Sequence, residues 1–312
     1  MSDAPHYPDV VQMAIPFFIL LIVLEIISSR FLGATGKYET RDTLTSLLMG
    51  AGNVVAGILL GFIAYGLFTW AWSYRLYDLG TSWWIVVICF ILDDLRYYWF
   101  HRIAHRCRWV WASHVNHHSS QHYNLSTALR QTWTGSLTGM MVLRLPLVLL
   151  GFHPAMIVFC GAVNLLYQFW IHTEAIRKFP VWFEAIFNTP SHHRVHHGRN
   201  PRYLDTNYAG TLIIWDKMFA SFVPEEDDEA VEYGLVHNLG TFNPIRVAFH
   251  EYVAIFKDVF RAGLSITQRL AYLLAPPGWS HDRSRATSQS LKADEVRRYP
   301  DKAGAPGLPP AP

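Results

Sequence analysis

Charge is scarce in this 312-residue sequence: Lys, Arg, Asp and Glu together make up 16% of it, against about 25% in an ordinary soluble domain. With 51% hydrophobic and 15% aromatic residues and a positive mean hydropathy, that shortage excludes a conventional water-soluble globule and points to an integral membrane protein. Net charge is only +2, without any Lys/Arg run, so a surface for nucleic-acid phosphates is excluded as well. Cysteine is rarer still. Cys89, Cys107 and Cys160 are unpatterned, and two of them lie in apolar stretches, which argues against a disulfide framework and a thiolate metal site. The first apolar run has neither a positive n-region nor a small-residue cleavage site, so it reads as a retained helix and not as a signal peptide.

Histidine, by contrast, is concentrated in three clusters: HRIAH at 101–105, HVNHH at 114–118 and HHRVHH at 192–197. His101 and His105, then His114, His117 and His118, then His193, His196 and His197 recur at i+3 and i+4, which places each set on one face of a helix or turn. A single such histidine is most simply a polar residue near a membrane surface. Eight at repeated spacing read as a ligand set, too many for one ion, which takes about four protein ligands, and about right for two. Imidazole suits Fe, Cu, Zn and Ni.

The apolar runs supply a scaffold. Residues 11–29 are long enough to span a bilayer, which takes roughly 20 apolar residues; Glu25 is their one blemish. Arg30, Lys37 and Arg41 follow that run and Asp3 and Asp9 precede it, so the positive-inside rule puts residue 30 in the cytoplasm. Residues 45–72, with Gly50, Gly52, Gly57 and Gly61 spaced for close helix packing, return the chain. TSWWIVVICFIL at 81–92 continues helically through DDLRYYWFHRIAH and delivers the first cluster to the cytoplasmic face. Stretches 136–150 and 154–171, broken by GFHP, form a membrane hairpin that brings His172 to the same side as a ninth ligand candidate. Arg144 inside its first arm either snorkels, pairs, or marks the arm as re-entrant. His192 either supports the ligand histidines from behind or only extends its cluster. EEDDEAVE at 225–232 reads as solvated surface.

The expected fold is therefore all-α: a membrane helical bundle of about four to five segments with a cytoplasmic helical cap carrying the histidine site. Its parts are an N-terminal helix and connection (1–40), a catalytic domain (41–250), interfacial helices (251–279) and a disordered tail (280–312). Ligand histidines usually donate their second ring nitrogen to a carboxylate or carbonyl. Asp94, two turns before His101 on the same face, is the natural partner, with Asp93 as its rival and Glu174 and Asp205 as weaker candidates. A histidine-only metal pair beside apolar helices suits iron that activates O2 against a lipid C–H bond. Zinc would imply hydrolysis instead; HRIAH shares the i, i+4 histidines of a zinc-protease helix, but Arg102 replaces the general-base Glu. A metal-binding membrane protein without oxygen chemistry, such as a sensor or ion carrier, is the reading from another class. A carrier needs ionisable residues along the spans, and Glu25 and Arg144 are few.

These three boxes resemble the fatty acid hydroxylase / sterol desaturase superfamily, whose pattern is H-x3-H, H-x2-HH and a later H-x2-HH. DLRYYWFHRIAH, HHSSQHYNLSTALRQ, NLLYQFWIHTE, NTPSHHRVHHGRNPRYLDTNYAGTLIIWDKMF and TFNP are similar to its ether-lipid-cleaving branch. The likeness covers roughly residues 40–250. It implies a di-iron centre held by the eight box histidines, and hydroxylation with O2 of the carbon beside an alkylglycerol ether oxygen. A sterol or fatty-acyl hydroxylase or desaturase is the alternative within the superfamily. It also implies an external reductant, either tetrahydrobiopterin or an electron-donor protein, although no residue set argues for a pterin site. In its light Asn124, Arg130, Gln131, Asn188, Asn207 and Tyr208 either line the pocket and hold ligand histidines or only satisfy loop backbone.

Overall fold

The computed structural model describes residues 5–311, so Asp3 lies outside the described residues. Among these residues the chain is helical throughout, with no strand and only two isolated β-bridges, Phe187 to Leu212 and Gly198 to Tyr233. The helices are α1 (Val10–Phe31), α2 (Thr40–Trp72), α3 (Trp83–Arg106), α4 (Arg108–His118), α5 (Leu125–Ala128), α6 (Leu145–Leu150), α7 (Pro154–Trp170), α8 (Val181–Ile186), α9 (Pro190–His196), α10 (Ile214–Met218), α11 (Pro244–Val259), α12 (Ile266–Leu274) and α13 (Ser288–Arg298).

Two of them, α1 and α2, are long and apolar enough to cross a membrane, and only 17% and 6% of their most apolar stretches is buried. A core helix would be covered by protein. Here Phe17, Leu20, Leu24, Ile58, Leu59 and Phe62 point outward, a surface that is unfavourable in water and matched to hydrocarbon. Glu25, the one charge in α1, is buried and accepts from Leu125 N at 2.8 Å and from the hydroxyls of Tyr38 and Thr173. It ties α1 to the start of α5 and to the residue after His172. The glycines of α2 divide: a Cβ on Gly50 or Gly52 would meet Leu129 or Trp133, whereas Gly57 and Gly61 face open space. Only the first pair serves close packing.

The helix of the third apolar run continues unbroken through the first histidine cluster, as the sequence predicts. The hairpin is less regular. Its first arm consists of two 3-10 turns, Gly135–Thr138 and Met140–Arg144, followed by the six residues of α6. Gly139, in left-handed conformation, and Pro146 at the helix start break a continuous helix there. Arg144 pairs with Asp93 at 3.3 Å, and Asp93 also holds Arg96 at 2.9 Å, so the charge inside the arm is paired, sharing one carboxylate with Arg96. Gly151 turns the chain at φ +108° into α7, which His153 and Pro154 initiate.

Two expectations about the C-terminal third are corrected. The tail is ordered: Thr287 caps α13, Val296 and Leu308 are buried, and Gly307 at φ +83° lies against the Arg202 carbonyl. Pro, Ala and Gly content, read as disorder, here serves tight packing. The acidic loop is not simply solvated, because Glu225 holds Arg194 at 2.7 Å and Glu232 holds Arg199 at 3.0 Å, clamping the third histidine cluster.

Candidate metal centre

Nine imidazoles converge where α3, α4, α7 and α9 meet. They sort into two groups, His101, His105, His114, His118 and His196, and His117, His172, His193 and His197, with the ligand nitrogens within each group lying within 4.8 Å of one another. Helix periodicity does the sorting. On α4, His114 and His118 share a face and His117 turns to the next one, so one helix feeds both groups. On α9 and its cap, His193 and His197 serve one group and His196 the other. Within the groups His101 Nε2 lies 2.8 Å and His118 Nε2 3.1 Å from His114 Nε2, while His172 Nε2 lies 3.2 Å from His117 Nε2 and 3.0 Å from His193 Nε2. Nitrogens that share one ion at roughly 2.0–2.1 Å stand about 3 Å apart.

The tautomers are fixed from outside. His101 Nδ1 donates to the Tyr208 carbonyl at 2.8 Å, His172 Nδ1 to the Gln168 carbonyl at 2.7 Å and His196 Nδ1 to the Thr206 carbonyl at 2.9 Å. In a neutral ring the other nitrogen then carries a bare lone pair, and these lone pairs point at one another. His105, His196 and His197 each keep a buried Nε2 with no hydrogen-bond partner. Buried, unpaired acceptors crowded together are unfavourable unless a cation lies between them, so this donor set fits a pair of transition-metal ions. Burial, reinforced by neighbouring imidazoles, holds His114, His117, His118, His193, His196 and His197 well below the usual histidine range, and burial pushes His172 down to about 4. Neutral imidazole is the form that binds metal.

Of the proposed orienting partners, Asp205 faces a histidine: its Oδ1 is 3.4 Å from His105 Nδ1. Burial alone would raise this carboxyl, but the hydrogen bond from His105 and the nearby charge of Arg106 outweigh it and hold Asp205 below the usual range. Asp94 does not reach His101. It accepts from Asn164 Nδ2 at 2.5 Å, Thr211 N at 2.8 Å, Leu212 N at 3.0 Å and Trp215 Nε1 at 2.9 Å, fastening α3 to α7 and to the segment after Tyr208. Glu174 accepts from Tyr233. His192 turns away toward Glu184, 3.9 Å distant, and Phe222. Asn124 caps α5, Asn188 donates to the Ala209 carbonyl, Asn207 bridges the His192 and Val223 carbonyls, and Gln131 donates to Ala128 O. Arg130 is locked to Asp42 at 2.8 Å. These polar residues hold backbone in place; among the candidates Tyr208 contributes directly, through its carbonyl.

Sequence reasoning passed over Asp216, which accepts from Tyr208 N and Ala209 N at 2.8 Å and so sets the carbonyl that His101 uses. A lone aspartate in WDKMF carries no signal of that role. It also passed over a cavity of about 260 Å3 beside the five-histidine group. His105, His118, His196 and Trp111 line its inner side, and α11 and the segment 277–291 close it from outside.

The family model for fatty acid hydroxylases matches residues 86–221, which contain all nine clustered imidazoles. Over residues 86–221 the chain therefore resembles a fatty acid hydroxylase. Most of the chain is similar to the alkylglycerol monooxygenase of Homo sapiens, 42% identical over 280 residues that make up 89% of this chain and 62% of that protein. The Xenopus tropicalis alkylglycerol monooxygenase is 40% identical over 91% of this chain and 63% of its own length. The chain thus spans less than two thirds of these relatives. A more distant relative is the ornithine lipid hydroxylase OlsE of Rhizobium tropici, 30% identical over 44% of this chain and 41% of its own length. No solved structure matches the chain. The matched segment ends before α11, so the outer wall of the cavity is built by residues beyond it.

Proposed function

We propose that the chain is a membrane-bound, O2-dependent di-iron monooxygenase that hydroxylates a lipid beside an ether oxygen, with an alkylglycerol as substrate. The observation that carries this reading is the division of nine imidazoles, eight of them buried, into groups of five and four, with the buried Nε2 atoms of His105, His196 and His197 left without hydrogen-bond partners. His101, His105, His114, His118 and His196 would hold one ion and His117, His172, His193 and His197 the other. Two irons bound there would supply redox chemistry toward O2.

The residues around that centre hold and shield it. Tyr208, Gln168 and Thr206 carbonyls and Asp205 fix the ring orientations, and Trp111 packs against His105 and His118, covering their outer side with an apolar ring. In the overall reaction the ether R–CH2–O–R′, O2, two electrons and two protons give R–CH(OH)–O–R′ and water. The hemiacetal then loses its R′–O bond to carbon as the hydroxyl proton passes to the departing oxygen, leaving an aldehyde and an alcohol. The electrons come from an external reductant, a tetrahydropterin or a donor protein.

Arg30 in the last turn of α1 and Lys37 and Arg41 after it support a cytoplasmic position for the centre, and the outward apolar residues of α11 and α12, Phe249, Val253, Phe256 and Leu270, support an interfacial position for those helices. Reporters fused after residues 30 and 275 should both read cytoplasm; a split result refutes this topology. Membranes carrying the full chain, given an alkylglycerol, a sterol or a fatty acid with each reductant, should form aldehyde from the alkylglycerol. Product from the sterol or the fatty acid alone would assign a different hydroxylase.

A further inference from the structure

The cavity of about 260 Å3 falls below the roughly 300–1,000 Å3 that enclose a drug-sized ligand, so it admits one end of a long-chain lipid and leaves the rest outside. The hydrogen-bonding character of its outer wall decides which end. His250 lines it, and its Nδ1 donates to the Val247 carbonyl at 3.0 Å, which leaves Nε2 as an acceptor in the neutral ring. Glu251 lines it too, with Oε1 taken by Arg108 Nε at 2.6 Å and Oε2 left to accept. Arg108 is itself fixed by Asp258 at 2.7 Å, so this carboxylate is held in place. Among the described residues no Lys or Arg lines the cavity. An alkyl end would strip water from these acceptors and replace none of it. A phosphate or carboxylate head offers acceptors to acceptors and brings negative charge beside Glu251. Two hydroxyls on adjacent carbons supply the missing donors.

The geometry points to a head-group subsite: His250 and Glu251 of α11 bind the neutral diol head of the substrate, so that the lipid enters head first and the carbon after the head faces the histidines. The same helix exposes Phe249, Val253 and Phe256, so head and chain are served by two sides of one interfacial helix. This subsite rests on the lipid-oxygenase reading above, and its test separates the two.

Tritiated 1-O-hexadecylglycerol is bound to the purified full chain under argon without reductant, so that nothing turns over, and is displaced by the unlabelled lipid, its di-O-methyl ether and its phosphate ester. The wild type should hold the methylated and phosphorylated lipids about 10- to 100-fold more weakly than the diol, the range for a lost hydrogen bond to a charged group. His250→Ala, which breaks no ion pair, and Glu251→Gln should each lower the diol's affinity toward that of the methyl ether while leaving the ether's own affinity and the metal content unchanged. No diol binding, equal binding of diol and methyl ether, or variants that lose both lipids equally would overturn the subsite. Selective diol binding without oxidation once O2 and reductant are supplied would keep the subsite and sink the oxygenase reading.

Discussion

Replacing His172 by Ala tests the four-histidine group through its least obvious member. His172 follows the α6–α7 hairpin, outside the three boxes, and its Nε2 stands 3.2 Å from His117 Nε2 and 3.0 Å from His193 Nε2. The substitution reduces that group from four donors to three and leaves all five donors of the other group in place. Structural four-ligand sites bind with roughly 10–16 kcal/mol, or about 3–4 kcal/mol per ligand, so one ion should be held about 100- to 1,000-fold more weakly. The ring's one external hydrogen bond, to the Gln168 carbonyl at the end of α7, is a small loss to the fold by comparison. Stepwise chelation of the purified protein, with metal counted by mass spectrometry, resolves the outcome. One ion should leave at a much lower chelator concentration than in the wild type, the other at an unchanged one, and substrate-dependent O2 uptake should vanish with the first. Unchanged release of both ions, or equal weakening of both, would refute the assignment of His172 to one group.

Asp205→Ala frees His105 to rotate, and removal of such a partner typically weakens metal binding about 10- to 100-fold; the same chelation series should show it in the five-histidine group alone. Arg130→Ala leaves Asp42 buried and uncompensated, since Arg130 and Asp42 are 1% and 3% exposed, and should lower stability by about 3–5 kcal/mol, read as a fall in the unfolding midpoint in detergent. The buried histidines have depressed folded-state values, so their contribution is fully present above the unfolded value near 6.5 and is lost as pH falls through the folded ones. Each histidine neutral in the fold and protonated in the unfolded chain removes about 1.4 kcal/mol per pH unit. The metal-free protein should therefore lose its thermal transition steeply between pH 6.5 and 5, and metal should shift that loss to lower pH.

The features legible in the sequence were those with a local period. Two i+3, i+4 patterns on α4 and α9 and an unbroken helix from Trp83 to Arg106 follow from spacing alone, and the hairpin that ends at His172 follows from two apolar runs around Gly151 and Pro154. What spacing cannot show is which groups from distant segments meet a given face. Asp94 sits on the expected face of α3, yet four donors from α7 and the segment 211–215 occupy it. The groups that do orient His101, His172 and His196 are backbone carbonyls, and a carbonyl belongs to every residue alike. Composition misled at the tail for a related reason: Gly307 packs because Arg202 and Val223 lie against it, and Leu308 beside it is buried.

The central claim is a pair of redox metals that uses O2 on a lipid. Metal analysis of the purified full chain, joined to O2 uptake with an alkylglycerol and a reductant, tests it most directly. The account predicts two irons per chain and one O2 consumed per aldehyde formed, both abolished in His117→Ala and His196→Ala. A single zinc per chain with no O2 uptake would contradict it.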